Sequence, residues 1–103
     1  DSIRGGASDL MMPDLIKVGG VTGRLAASAI CQAARMPVSN HFFQEASAHL
    51  MAATPTAHLV EFFDIAGPIL RVPLQAIDGR VRASEEPGLG IEWSEEAVAR
   101  YAA

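Results

Sequence analysis

The order of short apolar runs and amphipathic stretches is the feature that most constrains the fold of this chain. Apolar runs bounded by proline or glycine lie at 10–12, 38–41 and 59–63, and they are typical of buried parallel strands. Between them, residues 21–35 and 45–53 have the spacing of helices. The order βαβαβ predicts an α/β fold in which right-handed crossovers join parallel strands and helices cover the sheet.

The first predicted helix should have one buried and one solvated side. Arg24 and Arg35 share one side, which we expect to face solvent, and Pro37 prevents the helix from continuing. The opposite side should be buried, because it carries apolar residues at helical spacing: Val21, Leu25, Ala29, Ala33 and Met36.

The sequence changes character after Pro68. Residues 69–77 are predicted to be extended, Asp78-Gly79 is a two-residue hairpin signal, and 81–83 would form the returning strand. Ser94 is placed to cap a short final helix whose first turn is acidic, the charge that a helix N-terminus favours. The tail is therefore expected to be a module distinct from the βα units.

Composition narrows the class of protein. Hydrophobic residues make up 50% and charged residues 19% of the 103 residues, which favours a packed globular fold over disorder. The net charge of −4, with no cluster of basic residues, argues against nucleic acid or a membrane as a partner. Cys31 is the only cysteine, so we expect a reducing, cytoplasmic setting. No basic-then-apolar leader opens the chain. The first residue is Asp1 and not Met, which we expect of a chain whose beginning was removed, cleaved or left out.

Three polar residues follow the three predicted strands. Asp14, His41 and Glu61 are separated by 27 and 20 residues, each about one βα repeat, so they should lie side by side at one rim of the sheet. A carboxylate beside a histidine orients the ring as a base, and a carboxyl group among apolar neighbours, as at Glu61, can donate a hydrogen bond to a developing oxyanion. The three residues together predict proton abstraction next to a carboxylate.

Each of these residues also has a structural interpretation. His41 could be a packed or surface histidine, Asp14 a turn or cap residue, and Glu61 a solvent-facing strand residue. We expect His49 and His58 to make structural hydrogen bonds.

Lys17 and the glycine-rich turn near Asp14 are expected to be structural, and no metal site is predicted. Lys17 should point to the face of the strand opposite Asp14 and be solvated. The glycines at 19, 20 and 23 predict a tight strand-to-helix turn. No cluster with the spacing of metal ligands is present, so no metal ligand is assigned within the chain.

Longer runs carry a resemblance to a known family. The segments are MPDLIKVGGVTG at 12–23, SNHFFQEASAHL at 39–50 and AATPTAHLVE at 52–61, and the similarity extends through PGLG at 87–90. They resemble the C-terminal third of the mandelate racemase branch of the enolase superfamily.

The resemblance implies strands six to eight of a (β/α)8 TIM-type barrel, a fold that usually needs about 250 residues. Asp14, His41 and Glu61 would end these three strands. Residues 1–67 would be the C-terminal βα units of the barrel. Residues 68–103 would be a tail, with a hairpin and a short helix, that packs on an N-terminal capping domain absent from this chain.

The resemblance also implies chemistry. Family members remove the proton α to a carboxylate and stabilise the resulting enediolate with Mg²⁺. His41 would be the general base, Asp14 its partner and Glu61 the acid that hydrogen-bonds the substrate carboxylate, with Phe42 and Phe63 on the substrate side. The family's Mg²⁺ ligands and its second-strand lysine have no counterpart here. We therefore expect a 2-hydroxy acid as the substrate of the parent enzyme, and an isolated chain that is inactive.

Alternatives within and outside the enzymes stay open. The parent could be a mandelate racemase-like isomerase or an acid-sugar dehydratase in which His41 also returns a proton to the leaving hydroxyl. The opposing class is a non-catalytic α/β module stable only through self-association. In either case unpaired strand edges, and the uncovered side chains of Leu10, Met12, Val38 and Phe62, predict a homo-oligomer or association with the missing N-terminal part of the enzyme.

Overall fold

A computed structural model describes residues 1–102. Its elements alternate with long irregular connections. In chain order they are α1 (Gly20–Ala33), α2 (Gln44–Ala52), a 3-10 turn (Gly67–Ile69), β1 (Ala76–Ile77), β2 (Arg80–Val81) and α3 (Glu95–Tyr101). The two predicted helices are confirmed to within one or two residues, and the αβ character of the chain is confirmed with them.

Three parallel segments precede, separate and follow α1 and α2, but they are joined by single bridges rather than by continuous strands. Parallel bridges pair Met11 with Val38, Asp14 with His41, and Val38 with Ala57. The main chain of Val38 holds the third segment, since its N–H donates to Thr56 (2.9 Å) and its carbonyl accepts from His58 (2.8 Å). The predicted parallel order is therefore confirmed. The predicted third strand at 59–63 is wrong, because pairing ends before it begins.

The turn into α1 depends on glycine. Gly19 and Gly20 have φ of 90° and 77°, and a Cβ at Gly23 would collide with the carbonyl oxygen of Val18. These positions confirm the tight strand-to-helix turn, since left-handed backbone and so close an approach exclude larger residues.

The buried side of α1 is not the predicted one. Arg24 is only 2% exposed; its guanidinium donates to Ser28 Oγ on α1 itself and to Met51 Sδ on α2 (3.2 Å). Burial lowers the pKa of Arg24. Val21 and Leu25, predicted to be buried, are exposed. The α1–α2 contact is thus made by a polar cluster, and the apolar side of α1 is uncovered.

The chain is less compact than a self-contained domain. Its radius of gyration is 15.2 Å and its extents are 48 × 31 × 22 Å, whereas about 13 Å is typical of a domain of this length. The apolar core is small: Cys31, Val38, Ala48, Leu50, Met51 and Leu70. Val38 is fully buried, so its predicted exposure is wrong, while Met12 and Phe62 are exposed as predicted.

The tail contains the predicted hairpin and the capped helix. Asp78 and Gly79 both have positive φ, 49° and 71°, as a two-residue turn between β1 and β2 requires. Ser94 Oγ accepts a hydrogen bond from Ala97 N (3.3 Å) and caps α3. The extended segment predicted at 69–77 is only partly present, because the 3-10 turn reaches Ile69.

No helix within residues 1–102 has the length and apolarity needed to cross a membrane.

Candidate functional site

A histidine and a carboxylate form a pair where the first two parallel segments end. His41 Nδ1 lies 3.0 Å from Asp14 Oδ2, and the two residues are also bridge partners across the segments. The His41 side chain is 34% exposed and that of Asp14 13%. A neutral His41 that donates from Nδ1 to Asp14 would leave Nε2 free to accept a proton, which is the arrangement of a base.

The turn that follows Asp14 fixes its carboxylate. Oδ1 accepts hydrogen bonds from the N–H groups of Ile16 (2.9 Å) and Lys17 (3.1 Å), which leaves Oδ2 for His41. The Lys17 N–H, followed by the His41 and Ile16 contacts, lowers the pKa of Asp14 against the opposing effect of partial burial. Asp14 is therefore both a turn residue and a partner of His41.

Lys17 is solvated as predicted, with its side chain 78% exposed, but it does not lie on the predicted face. Its Nζ is 3.8 Å from Asp14 Oδ2, on the same side as the carboxylate. The prediction assumed that the strand continues past Asp14, but the chain turns there instead.

Glu61 lies at the same rim, in the third segment. Its Oε2 accepts a hydrogen bond from the main-chain N–H of Phe42 (2.7 Å), the residue after His41. The carboxyl group is thus linked to the segment that bears the histidine, which a freely solvated glutamate would not be. All three predicted polar residues are brought to one end of the parallel segments.

Aromatic side chains lie beside the histidine. The Phe42 ring meets the His41 ring edge-on at 4.7 Å between centroids and the Phe63 ring at 5.8 Å. Phe42 and Phe43 both have left-handed backbone, with φ of 52° and 49°, which is rare for consecutive non-glycine residues. Beyond them lies an apolar cavity of about 290 Å³, to which Ile65 and Trp93 contribute.

Asn40 is a residue that the sequence analysis missed. It is 1% exposed, and its side-chain amide binds the main chain of both Phe42 and Glu61. An asparagine inside a predicted buried strand is itself a signal, because a buried amide needs several hydrogen-bond partners.

The other histidines and the acidic residues form no second site among residues 1–102. His49 Nε2 is buried without a hydrogen-bond partner, so the structural hydrogen bond predicted for it is absent there, and His58 is exposed. No group of three or more histidine, cysteine, aspartate or glutamate residues in this part of the chain could hold a metal ion. The residues described therefore do not fit a magnesium site on their own.

Comparison with known proteins places the chain in a family. The profile of the family described as enolase C-terminal domain-like matches residues 1–97. Among characterised relatives, the L-talarate/galactarate dehydratase of Salmonella typhimurium is 35% identical over 92% of this chain and 24% of its own length.

Solved structures give the same result. An enolase from Bradyrhizobium, complexed with magnesium and mandelic acid, is 52% identical with a TM-score of 0.88, over 96% of this chain and 27% of that one. The L-talarate dehydratase of Polaromonas, complexed with magnesium and L-glucarate, is 35% identical with a TM-score of 0.83, over 94% and 27%.

The chain thus spans about a quarter of the length of the relatives that it matches. The matched structures include a mandelate racemase/muconate lactonizing enzyme from Polaromonas, and magnesium is present in several of them. The chain belongs to the enolase C-terminal domain-like family, within the mandelate racemase group of the enolase superfamily.

Proposed function

We propose that this chain supplies the proton-transfer residues of a Mg²⁺-dependent enzyme that acts at the carbon α to the carboxylate of a 2-hydroxy acid. The observation that carries the proposal is the 3.0 Å contact between His41 Nδ1 and Asp14 Oδ2. His41 Nε2 takes the α-proton, and the electron pair of the broken C–H bond moves into the carboxylate. Asp14 holds the ring and stabilises the imidazolium that forms.

Glu61 acts at the substrate carboxylate, which receives the electron pair of the broken C–H bond. As negative charge develops on the substrate carboxylate, a hydrogen bond from Glu61 to its oxygen becomes stronger, and such an interaction accelerates the reaction. Magnesium, when bound, would add charge stabilisation at that carboxylate. Its ligands would come from outside residues 1–102, since these residues contain no suitable group.

The rest of a barrel is needed for this site to work. We infer that residues 1–67 provide its last three parallel segments and residues 68–103 a tail that packs on a capping domain. An isolated chain should be inert, because it lacks both the metal ligands and the walls that exclude water from the site.

Racemisation of an apolar 2-hydroxy acid is the reaction we favour, with the proton for the opposite face of the substrate supplied by an acid outside residues 1–102. Phe42 and Phe63 stand beside His41, and aromatic walls suit a substrate with an apolar substituent better than a polyhydroxylated acid. The 52% identity to an enolase complexed with mandelic acid supports this choice.

Dehydration of an acid sugar is the second candidate. It is favoured by the 35% identity to L-talarate/galactarate dehydratase. In that reaction His41 would take the α-proton and return a proton to the leaving hydroxyl.

One experiment separates these activities. The complete barrel containing this chain is incubated in D₂O with Mg²⁺ and either mandelate or galactarate, and NMR follows α-deuteration and loss of hydroxyl. We expect α-deuteration of mandelate without loss of its hydroxyl. Formation of a 2-oxo acid from galactarate alone would replace racemisation by dehydration. Reaction with neither substrate class, nor with any other 2-hydroxy acid, would reject the proposal.

A further inference from the structure

The main-chain ladder between the second and third parallel segments ends one step before the candidate site. Its last main-chain hydrogen bonds are made by Val38, whose N–H donates to the Thr56 carbonyl and whose carbonyl accepts from the His58 N–H. Past this point side chains of the second segment bind the main chain of the third. Ser39 Oγ accepts from Leu59 N at 3.3 Å, and the Asn40 amide follows.

Asn40 acts toward Glu61 as a neighbouring strand would. Its Oδ1 accepts from the Glu61 N–H (2.7 Å) and its Nδ2 donates to the Glu61 carbonyl (3.2 Å), so one amide binds both main-chain groups of one residue. The same Nδ2 donates to the carbonyl of Phe42 (3.0 Å). A primary amide carries the donor–acceptor pair of a peptide group, which makes this substitution of side chain for main chain possible.

The amide also bears on where the Glu61 carboxyl group lies. Asn40 holds the main chain of Glu61, and the Phe42 N–H holds its Oε2 at 2.7 Å. Asn40 and Phe42 flank His41 in sequence, so the carboxyl group is placed relative to the histidine by the residues on either side of it. The Phe42 carbonyl is held in turn by Asn40 and by Ser47 Oγ (3.0 Å). These contacts hold Phe42 in its unfavourable backbone conformation.

We propose that Asn40 is a positioning residue that sets the Glu61 carboxyl group against His41. This inference rests on the proposed function only for its kinetic consequence, and the hydrogen bonds it invokes can be tested without any activity. Burial of Asn40 keeps water from replacing the amide, so its loss would leave two main-chain groups of Glu61 without partners.

The test compares Asn40→Asp with Ser39→Ala. Asn40→Asp keeps the size and the acceptor of the amide but removes both Nδ2 donations, and it adds a negative charge near Glu61. Ser39→Ala removes a hydrogen bond from a buried neighbour to the same segment without touching Glu61. Hydrogen exchange by NMR should show the Phe42 amide, which donates to Glu61 Oε2, exchanging about tenfold faster in Asn40→Asp and little changed in Ser39→Ala, whereas the Glu61 amide keeps its acceptor in both. Equal effects of both variants on the Phe42 amide would overturn the proposal.

The kinetic arm uses the complete barrel. Asn40→Asp should lower kcat for α-proton exchange by about tenfold with little change in KM, as expected when an interaction made only in the transition state is weakened. Combined with Glu61→Gln it should cause no further loss, whereas a merely structural role would give additive effects. Additive losses would overturn the proposal. An unreactive wild type would reject the proposed function, and the amide exchange rates would then decide the role of Asn40.

Discussion

The rim that carries Asp14, His41 and Glu61 differs from helix α1 in whether its side chains have partners. At the rim, Asp14, His41 and Glu61 all have hydrogen-bond partners within residues 1–102. On α1, by contrast, Val21 and Ile30 are exposed, and Ile16 just before the helix is 66% exposed. The site geometry is therefore set by contacts within residues 1–102, whereas these apolar side chains are not covered by residues 1–102.

This contrast has a physical origin. Hydrogen bonds between neighbouring βα units need only the two residues that make them, so a chain with three parallel segments can hold them. Burial of apolar surface needs a second layer, and its stabilising effect grows with the area removed from water. We therefore expect this chain to hold its site residues in a defined geometry but to gain little stability from apolar packing.

The largest expected effect concerns the base at the rim. In the complete barrel, His41→Asn should reduce α-proton exchange about 10²- to 10⁴-fold, because no other group at this position can take the proton. Isotope exchange measured with each enantiomer of mandelate will show whether the loss is confined to one face. The exposed His58→Asn serves as the control and should retain wild-type exchange. Unchanged rates in His41→Asn would show that the rim is not the site of the reaction.

The next effect concerns the acid at the rim. Glu61→Gln should lower kcat by roughly 10²-fold, the scale of losing one donor to a developing oxyanion. Steady-state kinetics on the same substrates will measure it, with the exposed Glu86→Gln as the matched control. If Glu61→Gln changes KM alone, Glu61 contributes only to substrate binding.

The open apolar surface predicts association of the isolated chain. Two copies that pair their exposed edges, or exchange the tail from Pro68 onward, would bury part of this surface, so light scattering should give a mass of at least twice 10.9 kDa. The tail covers the core only in part, since Leu70 is buried but Val72 and Ile77 are exposed. A clean 10.9 kDa species with cooperative unfolding would contradict this prediction and make the chain a self-sufficient domain.

A smaller effect is expected from the partner of the histidine. The pKa of Asp14 is below its usual 3.8, chiefly because of the Lys17 N–H, so ionised Asp14 stabilises the fold. This contribution is complete above the pKa of the unfolded chain and is lost as pH falls through the lower, folded value. The stability advantage of wild type over Asp14→Asn should therefore be present at pH 7 and vanish in acid. Urea unfolding across this range will measure it, with Asp9→Asn as the control; an advantage that grows in acid would contradict it.

The sequence predicted the elements and the rim better than it predicted burial. Proline and glycine punctuate the chain so strongly that both long helices, the Asp78-Gly79 turn and the Ser94 cap were found. The alignment of Asp14 with His41 followed from the βα period, and the family resemblance is confirmed.

The errors have three physical causes. The buried side of α1 was wrong because Arg24 makes hydrogen bonds to Ser28 and Met51, and such partners cannot be read from periodicity. Asn40 was missed because its side chain binds the main chain of Glu61 in place of a neighbouring strand, and such a contact leaves no periodic pattern in the sequence. Lys17 was misplaced because one Asp14 oxygen turns the chain where a strand was assumed to continue.

The most direct test of the central claim is the tautomer of His41 in the 103-residue chain. Two-bond ¹H–¹⁵N correlation NMR distinguishes a ring protonated at Nδ1 from one protonated at Nε2. If this chain alone holds the base beside Asp14, the neutral His41 ring will carry its proton on Nδ1, and Asp14→Asn will abolish that preference. A neutral His41 ring protonated mainly at Nε2, or unaffected by Asp14→Asn, would contradict the claim that the proton-transfer pair is built by these residues.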